Sequence, residues 1–387
     1  CPADSRLHPN QARLGWTERV RSVSMNGAVG IGNKLASDSL LNCEKIFAKL
    51  ARKKSLDAPS SYLHGLLLIK KNKRPAAIAA FRTAVKLDPT AGLYHFRLAE
   101  SLVLARTGQR LNAGAAMAEA EEALARAMEL EPDFPWALNL AGQLAMERGA
   151  LDEGVSWFSK AAARLPDAPE PAINLSAAMA SLERYDEALH AVESLAGRYG
   201  SAANQGGNVL AMCGRLEEAE AWYRRALSHT SIADPGPGGG TDPELQKSED
   251  LAGYRTNLAA VLMELDRLAE AQDELRQALQ IRSDARALYL MGDLARQFGD
   301  LPRAEAAYNS ALERAPADAC IMQRLADLHL LRGRYQQAQD TAAALATVKP
   351  EASEKIMAAV RRATQEELSC SSCGLGWLVP KPLPPVP

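Results

Sequence analysis

The sequence predicts an all-α chain, a solenoid of about eight helix-turn-helix repeats, and two observations carry that prediction. The first is self-similarity. "RPAAIAAFRTAVKLDP" (74–89), "GRLEEAEAWYRRAL" (214–227), "DRLAEAQDELRQAL" (266–279), "DLPRAEAAYNSALERAP" (300–316) and "GRYQQAQDTAAALATVKP" (333–350) share one pattern. Each has an alanine, in most copies a large apolar residue four later, and alanine or leucine three after that. Side chains three and four apart stack on one helix face, so each segment is a helix with one apolar stripe. The second is composition: 47% of residues are apolar but only 5% aromatic, so the interior is built from small side chains at close helix approach.

Upstream of these segments lies a second helical stretch with its own small residue, as in "LHGLLL" (63–68), "RLAESL" (97–102), "NLSAAM" (174–179), "NLAAVL" (257–262), "LMGDLA" (290–295) and "RLADLH" (324–329). A small residue there lets the paired helix come close. With both helices in view, the chain resembles the tetratricopeptide repeat family, whose unit is a 34-residue helix-turn-helix with Ala-x3-Phe, then Pro, in its second helix. The small residue of the first helix falls at Gly65, Ala99, Gly142, Ser176, Gly207, Ala259, Gly292 and Ala326. The second helix carries Ala77, Ala120, Gly154, Ala188, Ala219, Ala271, Ala304 and Ala338, with Phe81, Leu124, Phe158, Val192, Tyr223, Leu275, Tyr308 and Ala342 four later. Ala342 makes the last copy a weak one. The terminal proline is kept as Pro89, Pro132, Pro166, Pro316 and Pro350, where it stops the second helix. The resemblance covers residues 58–350 and implies a right-handed superhelical solenoid.

Taken in order, residues 1–57 fit no repeat, although "DSLLNCEKIFAKLARKK" (38–54) has helical spacing and suits a cap on the first repeat. An insertion around "RTGQRLNAGAAM" (106–117) lengthens the second repeat. A second, "SIADPGPGGGTDPELQKSED" (231–250), is rich in Gly, Pro and Asp and reads as a surface loop. "EASEKIMAAVRRATQEEL" (351–368) is charged on one face and suits the solvated cap helix that repeat arrays need. Residues 369–387 form a separate tail.

With 45 basic and 47 acidic residues the net charge is -2, which gives no electrostatic reason to expect nucleic acid or an anionic membrane surface. No run approaches the roughly 18 apolar residues of a membrane span. The chain opens on Cys1, which we read as the start of a piece of a longer reading frame in a cytoplasmic protein. The alternative is the lipid-bearing cysteine of a periplasmic lipoprotein, against which Pro2 stands.

The sequence offers no catalytic constellation, and the protein is expected not to be an enzyme. The six histidines form no metal-ligand spacing, and "GAVGIG" (27–32) has neither a preceding strand nor the following lysine and hydroxyl of a phosphate loop. His64 and His329 are expected to be packed or capping side chains. Cys43, Cys213 and Cys320 sit in helical pattern and read as small buried apolar residues.

Cys370 and Cys373 differ. A Cys-x-x-Cys-Gly turn lets two thiolates grip one side of a zinc ion, and a structural zinc takes four protein ligands. Trp377 and "LVP" follow, and the segment resembles the first half of a rubredoxin-like zinc ribbon. The expectation is no cofactor within the chain, and zinc at Cys370 and Cys373 if further ligands complete the ribbon outside it. "KPLPPVP" (381–387) reads as a spacer, with recognition by a polyproline-binding domain as the lesser alternative.

For the array itself, the family resemblance implies binding of a protein or an extended peptide along the first helices. In this register the residue two before the small one is Arg97, Asn174, Gln205, Asn257 or Arg324, and Leu in the other repeats, with Asn139 beside Leu140. Family members that hold extended peptides use asparagine at this position. An amide both donates and accepts, so it reads main chain irrespective of side chain. Arg97 and Arg324 have an acid three residues on, Glu100 and Asp327, and so have a purely structural explanation as helix-surface pairs. Asn174, Gln205 and Asn257 lack one. The predicted function is a non-enzymatic interaction scaffold, the alternative being an accessory region of a larger enzyme or membrane complex.

Overall fold

A computed structural model describes residues 57–106, 113–229 and 243–372. Among these residues there are seventeen α-helices and no strand. The first four repeats pair α1 (Ala58–Lys70) with α2 (Arg74–Leu87), α3 (Gly92–Arg106) with α4 (Ala113–Leu130), α5 (Pro135–Glu147) with α6 (Leu151–Arg164), and α7 (Pro169–Ser181) with α8 (Tyr185–Glu193). The fifth consists of α9 (Gly200–Met212) and α10 (Leu216–Ser228), the sixth of α11 (Pro243–Glu264) and α12 (Leu268–Ile281). The seventh pairs α13 (Ala285–Gln297) with α14 (Leu301–Arg314), and the eighth α15 (Ala319–Leu331) with α16 (Tyr335–Ala346). A last helix, α17 (Pro350–Ser372), packs on α16 and α15.

Two compact units divide the chain: one runs through Cys213 and takes in Ser228–Gln246, the other holds Gly214–Leu227 and continues from Lys247. The division falls inside the fifth repeat, between α9 and α10.

The repeat pattern is a packing pattern. Ala77, Ala120, Ala188, Ala219, Ala271, Ala304 and Ala338 are all 0% exposed, as close helix approach demands. In six repeats the small residue of the first helix is matched in size to the residue expected opposite it. A Cβ on Gly65 would lie 2.5 Å from the Phe81 ring, on Gly142 2.6 Å from Phe158, and on Gly292 2.6 Å from Tyr308. Where the second helix offers the smaller Leu124, Val192 or Leu275, the first helix has room for Ala99, Ser176 or Ala259, all three fully buried. The last copy, with Ala342, is completed by α17, whose Ile356 and Val360 join the same core and whose Ser353 hydroxyl donates to the Ala342 carbonyl at 2.6 Å.

The turn between the helices is equally regular. Seven residues after the small one, the backbone is left-handed at Asn72, Gly149, Glu183, Gly214, Asp266, Gly299 and Gly333. That conformation suits glycine and costs a residue with a Cβ about 1–2 kcal/mol. Aspartates cap α1, α13, α14 and α15 through Asp57, Asp284, Asp300 and Asp318, each accepting from first-turn backbone N–H groups.

Several expectations are refined. The insertion at 106–117 lengthens helices: α3 has 15 residues and α4 18, against 13 or 14 in most others. The segment expected as a loop over 231–250 is helical from Pro243. Its glycines and prolines all lie at or before that residue, and "ELQKSED" (244–250) has none, so Pro243 opens α11 at a position where a missing N–H costs nothing. Cys320 is exposed rather than buried because it sits at the open N-terminal turn of α15, and Cys213 is only half-buried, closing α9. His329 is packed, as expected, and burial lowers its pKa. The proposed N-terminal cap (38–54) and Cys43 lie outside the described residues. So do Cys373 and the tail beyond it, while the backbone at Cys370 continues α17.

Candidate functional site

In the first unit, successive first helices touch: α3 meets α5, α5 meets α7, and α7 meets α9. Their facing side chains form two short hydrogen-bonded chains. Asn174 on α7 donates from Nδ2 to Oδ1 of Asn139 on α5 at 3.0 Å, and Asn139 Nδ2 donates in turn to Glu170 Oε1 at 3.4 Å. Gln205 on α9 donates from Nε2 to the Ser176 hydroxyl at 3.3 Å, and its Oε1 accepts from Asn208 Nδ2, also at 3.3 Å. Asn174, Gln205 and Asn208 are half-buried and Asn139 is buried. At the α3 end Arg97 Nη1 holds Glu100 Oε2 at 2.8 Å.

Glu170 stands in the first turn of α7. Burial pushes its carboxyl up to about 7, the nearby Glu100 carboxylate adds to the rise, and the Asn139 amide opposes it. A carboxyl in this state changes charge near neutral pH.

The second unit builds its first-helix face from different chemistry. Asn257 on α11 is buried, and its Oδ1 accepts from Arg286 Nη1 on α13 at 2.7 Å. Tyr308 on α14, fully buried, donates its hydroxyl to Asp293 Oδ1 on α13 at 2.6 Å. Burial and that bond raise the Tyr308 pKa. The same carboxylate faces Arg296 at 3.8 Å and Arg324 of α15 at 3.7 Å, and Arg324 Nε also donates to the Tyr289 hydroxyl at 3.3 Å. A shallow cleft lined by Arg224, Leu227, Leu258, Glu270, Asp273 and Glu274 lies away from these groups and pairs Arg224 with Glu270.

The five predicted binding residues are therefore all on first-helix faces, and four of them have internal partners that the sequence did not reveal. Arg97 makes the predicted bond to Glu100. Arg324 does not turn to Asp327; it reaches across to Tyr289 and Asp293 on the preceding first helix, where a buried carboxylate outweighs a helix-surface neighbour. Asn174, Gln205 and Asn257 are bonded to groups on neighbouring helices. They also fall in two units, Asn174 and Gln205 in the first and Asn257 in the second. Asn139, next to the register position Leu140, joins Asn174, while the fit of Gly142 against Phe158 keeps the register of the third repeat in place.

Glu170, Ser176, Asn208, Arg286 and Asp293 were missed. A signal for two of them exists: Glu170 and Arg286 both lie six residues before the small residue of their helix, one helical turn ahead of the amide position two before it.

The arrangement can donate and accept hydrogen bonds and hold charge, and it brings no nucleophile to a base. Among the described residues there is no group of three or more His, Cys, Asp or Glu that could hold a metal ion, and no helix long and apolar enough to cross a membrane.

Comparison with known proteins agrees with the repeat register. Tetratricopeptide repeat models match residues 62–110, 112–169, 179–238 and 256–319, and a further one matches 295–363. A TPR repeat-containing protein of Treponema pallidum (strain Nichols) is 30% identical over 318 residues, which cover 76% of this chain and 35% of that protein. The chain thus spans about a third of that relative's length. Among solved structures, a chain of the APC/C hetero-tetramer Cut9-Hcn1 is similar with a TM-score of 0.52 at 15% identity, over 81% of this chain and 59% of that one. A tetratricopeptide repeat protein from Parabacteroides merdae ATCC 43184 gives a TM-score of 0.49 at 13% identity, over 76% and 99%. Seven small-residue and large-residue pairs in register, the recurring left-handed turn and models matching most of the chain lead to one conclusion: this protein belongs to the tetratricopeptide repeat family.

Proposed function

We propose that the chain is a non-enzymatic interaction scaffold that holds an extended segment of a partner protein by its main chain along the first-helix face of the first unit. One observation carries the reading: Asn139, Asn174, Gln205 and Asn208 come from three successive first helices, and two of their bonds run from amide to amide, Asn174 to Asn139 and Asn208 to Gln205. Neutral amide–amide bonds of this kind are worth about 0.5–1.5 kcal/mol each, so an incoming peptide group can replace them at little cost. Neighbouring helix axes lie about 8–10 Å apart and an extended chain advances about 3.3 Å per residue, so α5 to α9 addresses about five or six residues. Arg97 borders this stretch within the first unit, and Arg324 and Asn257 belong to the separate face of the second unit.

The test compares the affinity of a partner recovered with the intact chain against variants. Changing Asn174 and Gln205 together to alanine is expected to weaken binding at least tenfold, about 1.4 kcal/mol, with helicity and melting nearly unchanged. Unchanged affinity in a folded double variant places the partner elsewhere. A second reading, an accessory region of a larger enzyme or complex, is favoured by the fact that the chain spans about a third of its Treponema relative.

A further inference from the structure

Charged side chains with little exposure in this protein follow a rule. The carboxylates of Glu100, Glu220, Glu274 and Glu305 have side chains 18%, 14%, 22% and 19% exposed, and each holds an arginine within ion-pair distance: Arg97, Arg267, Arg255 and Arg334 respectively. Taking a carboxylate out of water is costly unless a cation and hydrogen bonds replace the lost hydration. Glu170 departs from this rule, and unlike the half-buried Asp327, whose carboxyl feels Arg324 and Arg296, it has no cation bearing on it among the described residues. It is half-buried on the amide-bearing face, and the described residues give it a single amide donor, Asn139 at 3.4 Å, and no ion pair. The charged group that bears on it electrostatically is Glu100, itself matched by Arg97, so this stretch of the first-helix face sets two carboxylates against one guanidinium. No charged residue of α9, packed on the other side of α7, supplies the missing cation, because that helix has none.

We propose that this part of the face receives a lysine or arginine side chain of the bound segment, with Glu170 as the group that pairs with it and the Asn139–Asn174 amides holding the adjoining main chain. The proposal rests on the peptide-holding reading above and adds the partner's chemistry to it. An amide face alone accepts any sequence. An uncompensated carboxylate set into that face selects against acidic and neutral side chains at one position and favours a basic one, through charge complementarity. The local charge also makes the selection conditional. Glu170 loses its proton around pH 7, and a cation pairs with the ionised form, so binding of a basic side chain strengthens as pH rises through that value and draws the proton off at lower pH.

The experiment uses the whole chain and two end-blocked nonapeptides that alternate alanine with lysine or with acetyl-lysine. Titration calorimetry at pH 8 is expected to show the lysine peptide binding at least tenfold more tightly, and the preference is expected to shrink at pH 5.5. Glu170→Gln should bring the two peptides within about threefold of each other. Glu193→Gln, which removes a charge from an exposed side chain of the same repeat, should leave the preference intact. Equal affinity for the two peptides, no measurable binding of either, or a preference that survives Glu170→Gln overturns the proposal. The double variant Asn174→Ala, Gln205→Ala separates this outcome from failure of the underlying reading. If the amides hold main chain, it weakens both peptides alike, whether or not Glu170 reads the charge.

Discussion

The two units use the same helix-turn-helix plan and furnish its first-helix face in opposite ways. In the first unit the face is largely amide, bonded amide to amide at 3.0 and 3.3 Å, and it contains a half-buried carboxyl with no ion pair among the described residues. In the second, the face is ionic and phenolic: Asp293 is shared by Tyr308, Arg296 and Arg324, and Asn257 is held by Arg286. The difference separates two uses of polarity. Where each buried acceptor already has a strong donor, polar groups fix the packing of one helix on the next. Where the bonds are neutral and mutual, the same positions remain open to exchange with a ligand, since a charge-assisted bond is roughly twice as strong as a neutral one.

The comparison is broken most severely at Tyr308. Its ring fills the space left by Gly292 and its hydroxyl satisfies Asp293. Tyr308→Ala is expected to cost roughly 3–5 kcal/mol and to loosen the neighbouring repeats, which share its core. Tyr308→Phe keeps the ring and leaves Asp293 short of a donor, for roughly 1–3 kcal/mol. Denaturant melts of both variants check this. A Phe variant as stable as the parent would mean that the two arginines alone satisfy Asp293, and the contrast between the units would weaken.

A smaller effect probes the first unit. With its folded pKa at about 7, above the ordinary carboxylate value, Glu170 binds a proton more tightly in the folded state than in the unfolded one. Its contribution is therefore fully present below about pH 4.5 and is lost as pH rises through 7. Glu170→Gln mimics the protonated form. After allowance for the group's remaining exposure, it should leave stability unchanged near pH 4.5 and raise it by about 1 kcal/mol at pH 8 in the absence of ligand. Paired melts at the two pH values read this directly, and equal gains at both would show that the carboxyl is not set in an unfavourable site.

Much of the architecture was legible because it rests on size and periodicity, which a sequence displays. Gly65 beside Phe81 and Gly292 beside Tyr308 announce close contacts from residue type alone. The site was legible only in part. One register position marks Asn174, Gln205 and Asn257, yet their partners Asn139, Ser176 and Arg286 lie about 30 residues away, the first two on the preceding first helix and the third on the following one. Such pairing depends on how neighbouring helices are rotated against each other, which local spacing does not encode. The helix over 243–250 was hidden for another reason: the glycines and prolines just before it coloured the whole segment.

The smallest effect compares the units at their turns. Glu183 in the first and Asp266 in the second occupy the same place, seven residues after the small one, with φ of 60° and 59°. In four other repeats that place is glycine. A left-handed backbone costs a residue with a Cβ about 1–2 kcal/mol, but glycine gives back about 0.5–1 kcal/mol through the greater freedom of the unfolded chain. Aspartate bears the conformation better than glutamate, because its short side chain bonds locally to the backbone. Glu183→Gly should therefore stabilise by about 0.5 kcal/mol and Asp266→Gly by close to nothing, with α7 and α8 otherwise unchanged. Chemical denaturation of the two variants in parallel measures the gap. A loss at Glu183 as large as a typical glycine substitution would mean that its side chain earns its place by a contact that outweighs the strain of the turn.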